Sequence, residues 1–238
     1  FFFFNLTEKL EEKEKKIFKE KYDSWQTKFY LDLTCQTVIC NAIILGFEAD
    51  KNRDELLKVG FEVALDFFCI KLFDEVIDNG NYQEKELRLY FTKFIAAFSG
   101  KMPECKEKHI SSIFKIISTI NRDRKISAEF LITFREVCEL CVEQYLARTN
   151  QSLKKTTVDL NAAVGTLWYL RLKDSNLVLP EYTKTFLEIQ GGLGGLYDSI
   201  KDFRMDIKEK EFSFSNNYLP VLLLDFLTTF IKLNQLVD

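Results

Sequence analysis

Apolar residues recur every three or four positions along almost the whole chain, which is the spacing of one face of an α-helix. No segment shows the alternation of β-branched and polar residues between turn residues that predicts a strand. Turn-forming clusters such as Asn79-Gly80-Asn81 separate the periodic segments. The pattern therefore predicts an all-α protein. Its predicted helices cover residues 7–30, 33–48, 54–78, 83–99, 108–121, 127–149, 155–173, 181–210 and 219–236.

The composition predicts one globular domain. The chain has 238 residues, of which 47% are hydrophobic, and it is long enough to bury a sizeable core as a single domain, residues 1–238. Because it opens on four phenylalanines without a methionine, we expect a fragment or a chain that lacks some loops. Its net charge of −3 lacks the clear basic excess that nucleic-acid binding needs, so no nucleic-acid partner is expected.

Cysteine usage and hydropathy predict a cytoplasmic protein. The six cysteines come without a recognisable secretory leader, which is typical of reduced core thiols. No apolar run reaches the roughly 18 residues that a membrane span needs, and the nearest one, residues 218–233, contains Asp225 and Lys232. The mixed-sign charge run from Glu8 to Lys21 predicts a solvated helix face, with a membrane-surface role as the alternative. Membrane association and a homodimer both remain open.

An acidic cluster, Asp74-Glu75-Val76-Ile77-Asp78, ends the helix predicted at 54–78. That helix is apolar on nearly every side, as a central helix is. At about 100° per residue, Val63, Phe67 and Ile70 lie within roughly 40° of the first aspartate, so the carboxylates continue a core-facing stripe. Buried carboxylates need a metal ion, a basic partner or a water-filled cavity. The alternative is that the helix reaches the surface here and the acids solvate its end.

A second acidic cluster forms a ladder on the helix predicted at 181–210. Asp198, Asp202 and Asp206 follow one another at four-residue spacing, and Glu209 extends the stripe. No Lys or Arg lies within the stripe, so the usual neutralisation between residues four apart is absent inside it. Three glycines precede it on or beside the same face, where each costs about 1 kcal/mol against alanine. They predict the close approach of a neighbouring helix or a ligand, which an acidic solvated face would not explain. The glycines are Gly191, Gly194 and Gly195.

Together the two clusters predict a magnesium site. Mg²⁺ is a hard cation that is usually shared between a few carboxylates and substrate phosphates. An apolar stripe that leads to such carboxylates is typical of a cavity for a greasy diphosphate, which suits an isoprenoid diphosphate.

Between residues 60 and 222 the chain resembles the squalene/phytoene synthases of the class I isoprenoid synthase superfamily. Asp74-Glu75-Val76-Ile77-Asp78, followed by Asn79-Gly80-Asn81, resembles their first aspartate motif, D-E-L-V-D-G-P-N. Asp202-Phe203-Arg204-Met205-Asp206, with Tyr218-Leu219-Pro220 downstream, is similar to their second motif, R-D-x-x-E-D followed by Y-L-P. The two aspartate motifs are the specific part of this resemblance.

Other positions agree with that family only in part. Leu153 and the segment Ala162-Ala163-Val164-Gly165-Thr166-Leu167 stand where the family has a leucine and its V-A-G-x-V-G helix. Met205 replaces the glutamate of the second motif, while Asp198 and Gly195 stand where the family has asparagine and glutamine. The ladder is instead similar to the D-x-x-x-D-x-x-x-D of large terpene cyclases of the tetraprenyl-β-curcumene synthase type, which share the fold.

The resemblance implies a helical bundle around a central apolar cavity and a magnesium-dependent terpene synthase or cyclase. Two or three Mg²⁺ ions would bind the diphosphate of a prenyl diphosphate and stabilise it as a leaving group, and the allylic cation would then cyclise. By this resemblance the catalytic residues would be Asp74, Asp78, Asp202 and Asp206. The implied metal ligands are Asp74, Glu75, Asp78, Asp198, Asp202 and Asp206. Lys71 stands where the family often has arginine, and aromatic residues would line the cavity. The expected substrate-binding residues are Lys71, Phe67, Tyr145, Gly165, Trp168, Gly191, Gly195 and Lys201.

Two other functions stay open. The same fold could couple two prenyl chains head to head, which would double the carbon count of the product. Alternatively, the chain is a non-catalytic helical binding protein with degenerate motifs, and replacing Asp74 or Asp202 with alanine would then change nothing. Cys138-x-x-Cys141 predicts core packing, since no second pair of metal ligands lies nearby, and a single histidine, His109, excludes a histidine-rich metal site.

Overall fold

A computed structural model describes residues 9–23, 53–78, 82–146, 153–175, 177–208 and 218–237. Within these ranges every regular element is an α-helix, so the all-α prediction is confirmed. We number the helices in chain order. They are α1 Glu12–Asp23, α2 Arg53–Asp78, α3 Glu84–Phe98, α4 Lys108–Asn121, α5 Ala128–Leu146, α6 Leu153–Lys173, α7 Thr183–Lys208 and α8 Tyr218–Val237.

The observed helices follow the predicted segments closely. Where a helix end and its flanking residues are both described, the two agree to within two residues, except that α1 begins at Glu12 instead of residue 7. The helix predicted at 33–48 lies outside the described residues. The predicted break after α3 is confirmed, because Gly100 adopts a left-handed backbone conformation with φ of 80°, which favours glycine and ends the helix.

The described residues divide into two compact units, one within Phe1–Leu131 and the other within Ile132–Asp238. The first contains α1 to α4, the second contains α6 to α8, and α5 crosses the boundary. The single domain and the central cavity remain predictions. Among the described helices, none combines the length and the apolar character that crossing a membrane requires.

Phenylalanine rings form the core of the first unit. Helices α1, α2 and α3 all contact α4. The Phe73 ring of α2 stacks on Phe94 of α3 with 4.1 Å between ring centroids, and it meets Phe91 edge-on at 5.0 Å. On the α4 side its centroid lies 6.2 Å from that of Phe114. These contacts fix the rotation of α2 one residue before its acidic cluster.

Helix α1 docks on α4 through one face. Phe18 is buried against Phe68 of α2, with 5.3 Å between the ring centroids. Glu14 is buried as well, and its carboxylate accepts a hydrogen bond from the Ser112 hydroxyl at 3.3 Å. The Lys115 ammonium lies 3.6 Å from the same carboxylate. The charge run is thus a solvated face on one side of α1 and a docking face on the other.

A buried arginine ties the residues after α4 to α2. The Arg124 side chain is 4% exposed, and its guanidinium donates to the Asp66 carboxylate at 2.7 Å and to the Glu62 carboxylate at 2.6 Å. It also donates to the Glu62 backbone carbonyl at 3.0 Å and to the Asn121 side-chain oxygen at 2.7 Å. This arginine holds the middle of α2, two to three turns before the acidic cluster.

Candidate functional site

The first acidic motif occupies the end of α2. Val76 and Ile77, inside the motif, are buried, as is Phe73 just before it. These residues fix the rotation of the helix, and α2 ends at Asp78. The side chains of Asp74, Glu75 and Asp78 lie outside the described part of the structure.

The position of this motif at a helix C-terminus is electrostatically unfavourable. A helix carries about half a negative elementary charge at its C-terminus. The last turn of α2 contains no basic residue, although it includes Asp78. By contrast, Asp54 and Glu55 stand in the first turn, where negative charge is favourable. Negative charge at this end is therefore favourable only with full solvation or a cation nearby. Lys71, three residues before Asp74 and four before Glu75, is the basic residue nearest to the motif in α2.

The helix face that leads to the motif emerges gradually from the core. Val63 is buried, Phe67 and Ile70 are half-buried, and Lys71 is exposed. The Lys71 ammonium lies 5.7 Å from the centroid of the Phe67 ring, within cation–π range. Two predicted substrate-binding residues, Lys71 and Phe67, are therefore neighbours, about one and two turns before Asp74.

The second acidic motif lies within one continuous helix. The backbone of α7 runs from Thr183 to Lys208 and includes Asp198, Asp202 and Asp206 at four-residue spacing, as the pattern predicted. Glu209 lies outside the described residues. The structure also does not describe the side chains of the three aspartates and of Lys201, or the surroundings of Gly195. Leu196, two residues before the ladder, is buried.

Glycines bring α6 and α7 into backbone contact. A Cβ atom on Gly165 of α6 would lie 2.1 Å from the Leu187 carbonyl oxygen of α7. A Cβ atom on Gly191 of α7 would lie 2.1 Å from the Asn161 carbonyl oxygen of α6 and 3.3 Å from the Gly165 backbone nitrogen. The bulky neighbour predicted at Gly191 is thus a helix. Gly194, in contrast, has open space in its Cβ direction.

A polar contact beside this crossing was not predicted from the sequence. The Thr166 hydroxyl of α6 donates to the Glu188 carboxylate of α7 at 2.8 Å. The Lys184 ammonium lies 3.7 Å from the same carboxylate. The sequence held no signal for this pair, because its partners are 22 residues apart and nothing in the pattern connects Thr166 with Glu188.

The remaining predicted residues lie on α5 and α6. Tyr145 is half-buried in the last turn of α5, and Trp168 is half-buried on α6, three residues after Gly165. Among the predicted substrate-binding residues, the structure brings together Lys71 with Phe67, and Gly165 with Gly191. Asp74 and Asp202 belong to different compact units, and each motif is described within its own unit.

The described side chains outside the two motifs offer no metal site. No three His, Cys, Asp or Glu among them form a group that could hold a metal ion. Burial, followed by the nearby Cys141 and Glu139, raises the pKa of the Cys138 thiol well above its usual value. A protonated, buried thiol agrees with core packing at Cys138. His109 is exposed at the start of α4.

Alanine at Gly165 or Gly191 is expected to destabilise the second unit by about 2–3 kcal/mol, because the new methyl group would force two backbones apart. Alanine at Gly194 is the matched control. It meets no atom within 4 Å, and it is expected to stabilise the helix by about 1 kcal/mol through propensity. Thermal and urea unfolding of the three variants measures both effects. Equal effects at all three positions would contradict the close crossing.

Comparison of the chain with protein-family models, curated proteins and solved structures finds no match.

Proposed function

We propose that this chain is a magnesium-dependent class I terpene synthase or cyclase, which ionises an allylic prenyl diphosphate and releases pyrophosphate. The observation that carries the proposal is the end of α2, where an acidic motif meets the negative end of the helix dipole without a basic residue in that turn. A protein gains nothing in stability from this arrangement. It is the arrangement expected where the carboxylates share an external cation.

The ladder on α7 supports the same proposal. Three aspartates at four-residue spacing in a continuous helix are neighbours on its surface. Like charges at this spacing destabilise a helix by about 0.2–0.5 kcal/mol per pair. A divalent cation would convert this repulsion into binding energy.

The donor set fits Mg²⁺ rather than a softer metal. The two motifs offer only carboxylate oxygens, which are the ligands that Mg²⁺ takes in proteins together with water and substrate phosphates. Asp74, Asp78, Asp202 and Asp206 would hold the ions, with Glu75 and Asp198 as further ligands. When bound, magnesium supplies positive charge that stabilises a departing diphosphate.

Residues beside the first motif would bind the substrate. The exposed Lys71 ammonium carries a positive charge one turn before Asp74, where it could attract a diphosphate oxygen. The half-buried Phe67 ring below it presents an apolar surface to a prenyl chain. On the second unit, the half-buried Trp168 would contribute an aromatic wall.

Pyrophosphate release tests the proposal. We expect the purified chain to release pyrophosphate from at least one of geranyl, farnesyl, geranylgeranyl or longer prenyl diphosphates in the presence of Mg²⁺. A chelator is expected to reduce the rate by roughly 100-fold or more, because the diphosphate is a poor leaving group without metal. Readdition of Mg²⁺ should restore the rate.

Mass analysis of the extracted hydrocarbon separates the alternatives. A product with the carbon count of one substrate chain supports the synthase or cyclase. A product with twice that count would instead identify head-to-head coupling on the same site. Absence of turnover with every chain length would contradict both and favour the non-catalytic binding protein.

A further inference from the structure

The outward face of α8 is apolar. Large side chains on this helix are between 44% and 64% exposed, although each would gain from burial. They recur at three- to four-residue spacing, so they form one stripe along the helix. We name this stripe the α8 face; its residues are Leu223, Leu224, Leu227, Phe230 and Ile231.

Helix geometry shows that the α8 face points away from α7. At about 100° per residue, its five residues span an arc of roughly 120°. Asp225, Phe226 and Thr229 lie on the opposite half of α8, and all three are less exposed than Leu224. Phe226 contacts Tyr197 of α7, with 6.4 Å between the ring centroids. The helix thus contacts α7 on the side of Phe226 and leaves the α8 face outside.

An aromatic series extends the α8 face onto α7. The Phe226 ring stacks on Phe230 at 6.5 Å, and it also touches Tyr197, which is 58% exposed. The exposed surface therefore continues across two helices of the second unit. Exposed tyrosine and phenylalanine beside aliphatic residues are typical of the centre of a protein interface.

The exposed area suits a pair of identical faces. With roughly 150–200 Å² for a large apolar side chain, the exposed fractions give the patch an area of about 500 Å². This is near the upper end of the patches found on monomers. Two copies face to face would bury up to about 1,000 Å² before any polar rim is counted, which is about the lower limit for a biological interface.

The distribution of charge also favours a second copy over a lipid surface. Asp225 and Lys232 lie roughly 150° from the centre of the α8 face, so two identical faces can meet without opposing like charges. Helices that bind membrane surfaces usually carry several Lys or Arg residues along the polar side. Helix α8 contains one lysine, and the whole chain has a net charge of −3.

We propose that the α8 face, together with Tyr197, is the interface of a homodimer in which two copies of this chain pair about a two-fold axis. Neither helix needs to change its fold to form this contact. Dimerisation is measured without substrate, so its outcome is independent of the proposed catalytic activity.

Analytical ultracentrifugation over a wide concentration range tests the interface. The chain is expected to sediment with twice its mass of 28.0 kDa at high concentration and to dissociate on dilution. Leu227→Lys places an unpaired charge at the centre of the face in both copies, and it is expected to weaken the dimer by roughly 100-fold or more. Because Leu227 is 56% exposed, this change should leave the circular dichroism spectrum unchanged. Its Tm should match that of the unmodified chain at concentrations where both are monomeric.

Ile132→Lys is the matched control. Ile132 on α5 is 60% exposed and lies outside the α8 face, so this variant should dimerise as the unmodified chain does. A monomer at every concentration would overturn the proposal, as would a dimer that Leu227→Lys leaves intact. Flotation of the monomeric chain with phosphatidylcholine vesicles, lost in Leu227→Lys, would assign the face to a lipid surface instead.

Discussion

Replacing Arg124 with methionine is expected to destabilise the first compact unit by about 3–5 kcal/mol. Methionine keeps most of the length and apolar volume of the side chain but removes the guanidinium. Asp66 and Glu62 would then remain on α2, four residues apart, without the cation that now lies between them. Leaving a buried charge uncompensated costs far more than losing a surface ion pair.

The geometry around Arg124 explains why the effect should be large. Its guanidinium donates to two carboxylates, one backbone carbonyl and one amide oxygen. Burial opposes the positive charge, but Asp66 and Glu62 outweigh that cost and hold the pKa of Arg124 above its usual value. The side chain is 4% exposed, so water cannot replace the lost contacts.

Urea unfolding followed by circular dichroism measures this loss. Arg122→Met is the matched control, since Arg122 is two residues away but exposed, and its replacement should change the free energy of unfolding by less than about 0.5 kcal/mol. Combining Arg124→Met with Glu62→Met and Asp66→Leu removes all three charges and should recover most of the stability. If Arg124→Met alone is as stable as Arg122→Met, the buried ion pairs contribute little to the free energy of unfolding.

The helices were predictable because local periodicity and turn residues decide them. Helix α4 is an example, since its apolar residues recur at helical spacing and the pattern gives its bounds as 108–121, as observed. Gly100 marked the end of the preceding helix, because only glycine tolerates the backbone conformation there without strain. These signals lie within a few residues of the structure that they specify.

Contacts between distant residues were not predictable in the same way. Arg124 meets Asp66 and Glu62 across 58 and 62 residues, and a charge has no periodicity that names its partner. The glycines of α7 were an intermediate case. Because glycine lowers the stability of a helix, its presence predicted that something approaches Gly191. The identity of the neighbour, Asn161 and Gly165 of α6, depends on how the two helices pack.

For the candidate site, too, the local structure was predictable from the sequence and the contact between helices was not. Helical spacing predicted that Asp198, Asp202 and Asp206 share one helix, and that Asp74 and Asp78 end another. The joint metal site requires these two helices to approach, which is a property of the tertiary structure. Substitution of single aspartates therefore tests it most directly.

Asp202→Asn is expected to reduce magnesium-dependent pyrophosphate release by roughly 1,000-fold or more. Asparagine has nearly the same shape as aspartate but lacks the negative charge that a metal ion needs. Asp74→Asn is expected to have a similar effect, because it removes a ligand from the other motif. Steady-state rates at saturating prenyl diphosphate, measured over a series of Mg²⁺ concentrations, quantify both losses.

Stability provides the readout that separates a functional aspartate from a structural one. Removing Asp202 relieves repulsion from its neighbours on the ladder, which amounts to about 0.2–0.5 kcal/mol per pair. Removing the acid at Asp78 takes a negative charge away from the negative end of α2, which should stabilise the helix by about 0.3–1 kcal/mol. Asp202→Asn and Asp78→Asn should therefore both melt at or above the Tm of the unmodified chain in the absence of Mg²⁺.

Asp159→Asn is the control for charge alone. Asp159 is an exposed residue of α6 outside both motifs, so its replacement should leave the rate and its Mg²⁺ dependence unchanged. If Mg²⁺ binds the two motifs, it should raise the Tm of the unmodified chain and of Asp159→Asn, but raise that of Asp202→Asn much less. Loss of the rate together with loss of Tm would identify Asp202 as a structural residue. Full activity in Asp202→Asn and Asp74→Asn would exclude both aspartates from the reaction, whatever its substrate.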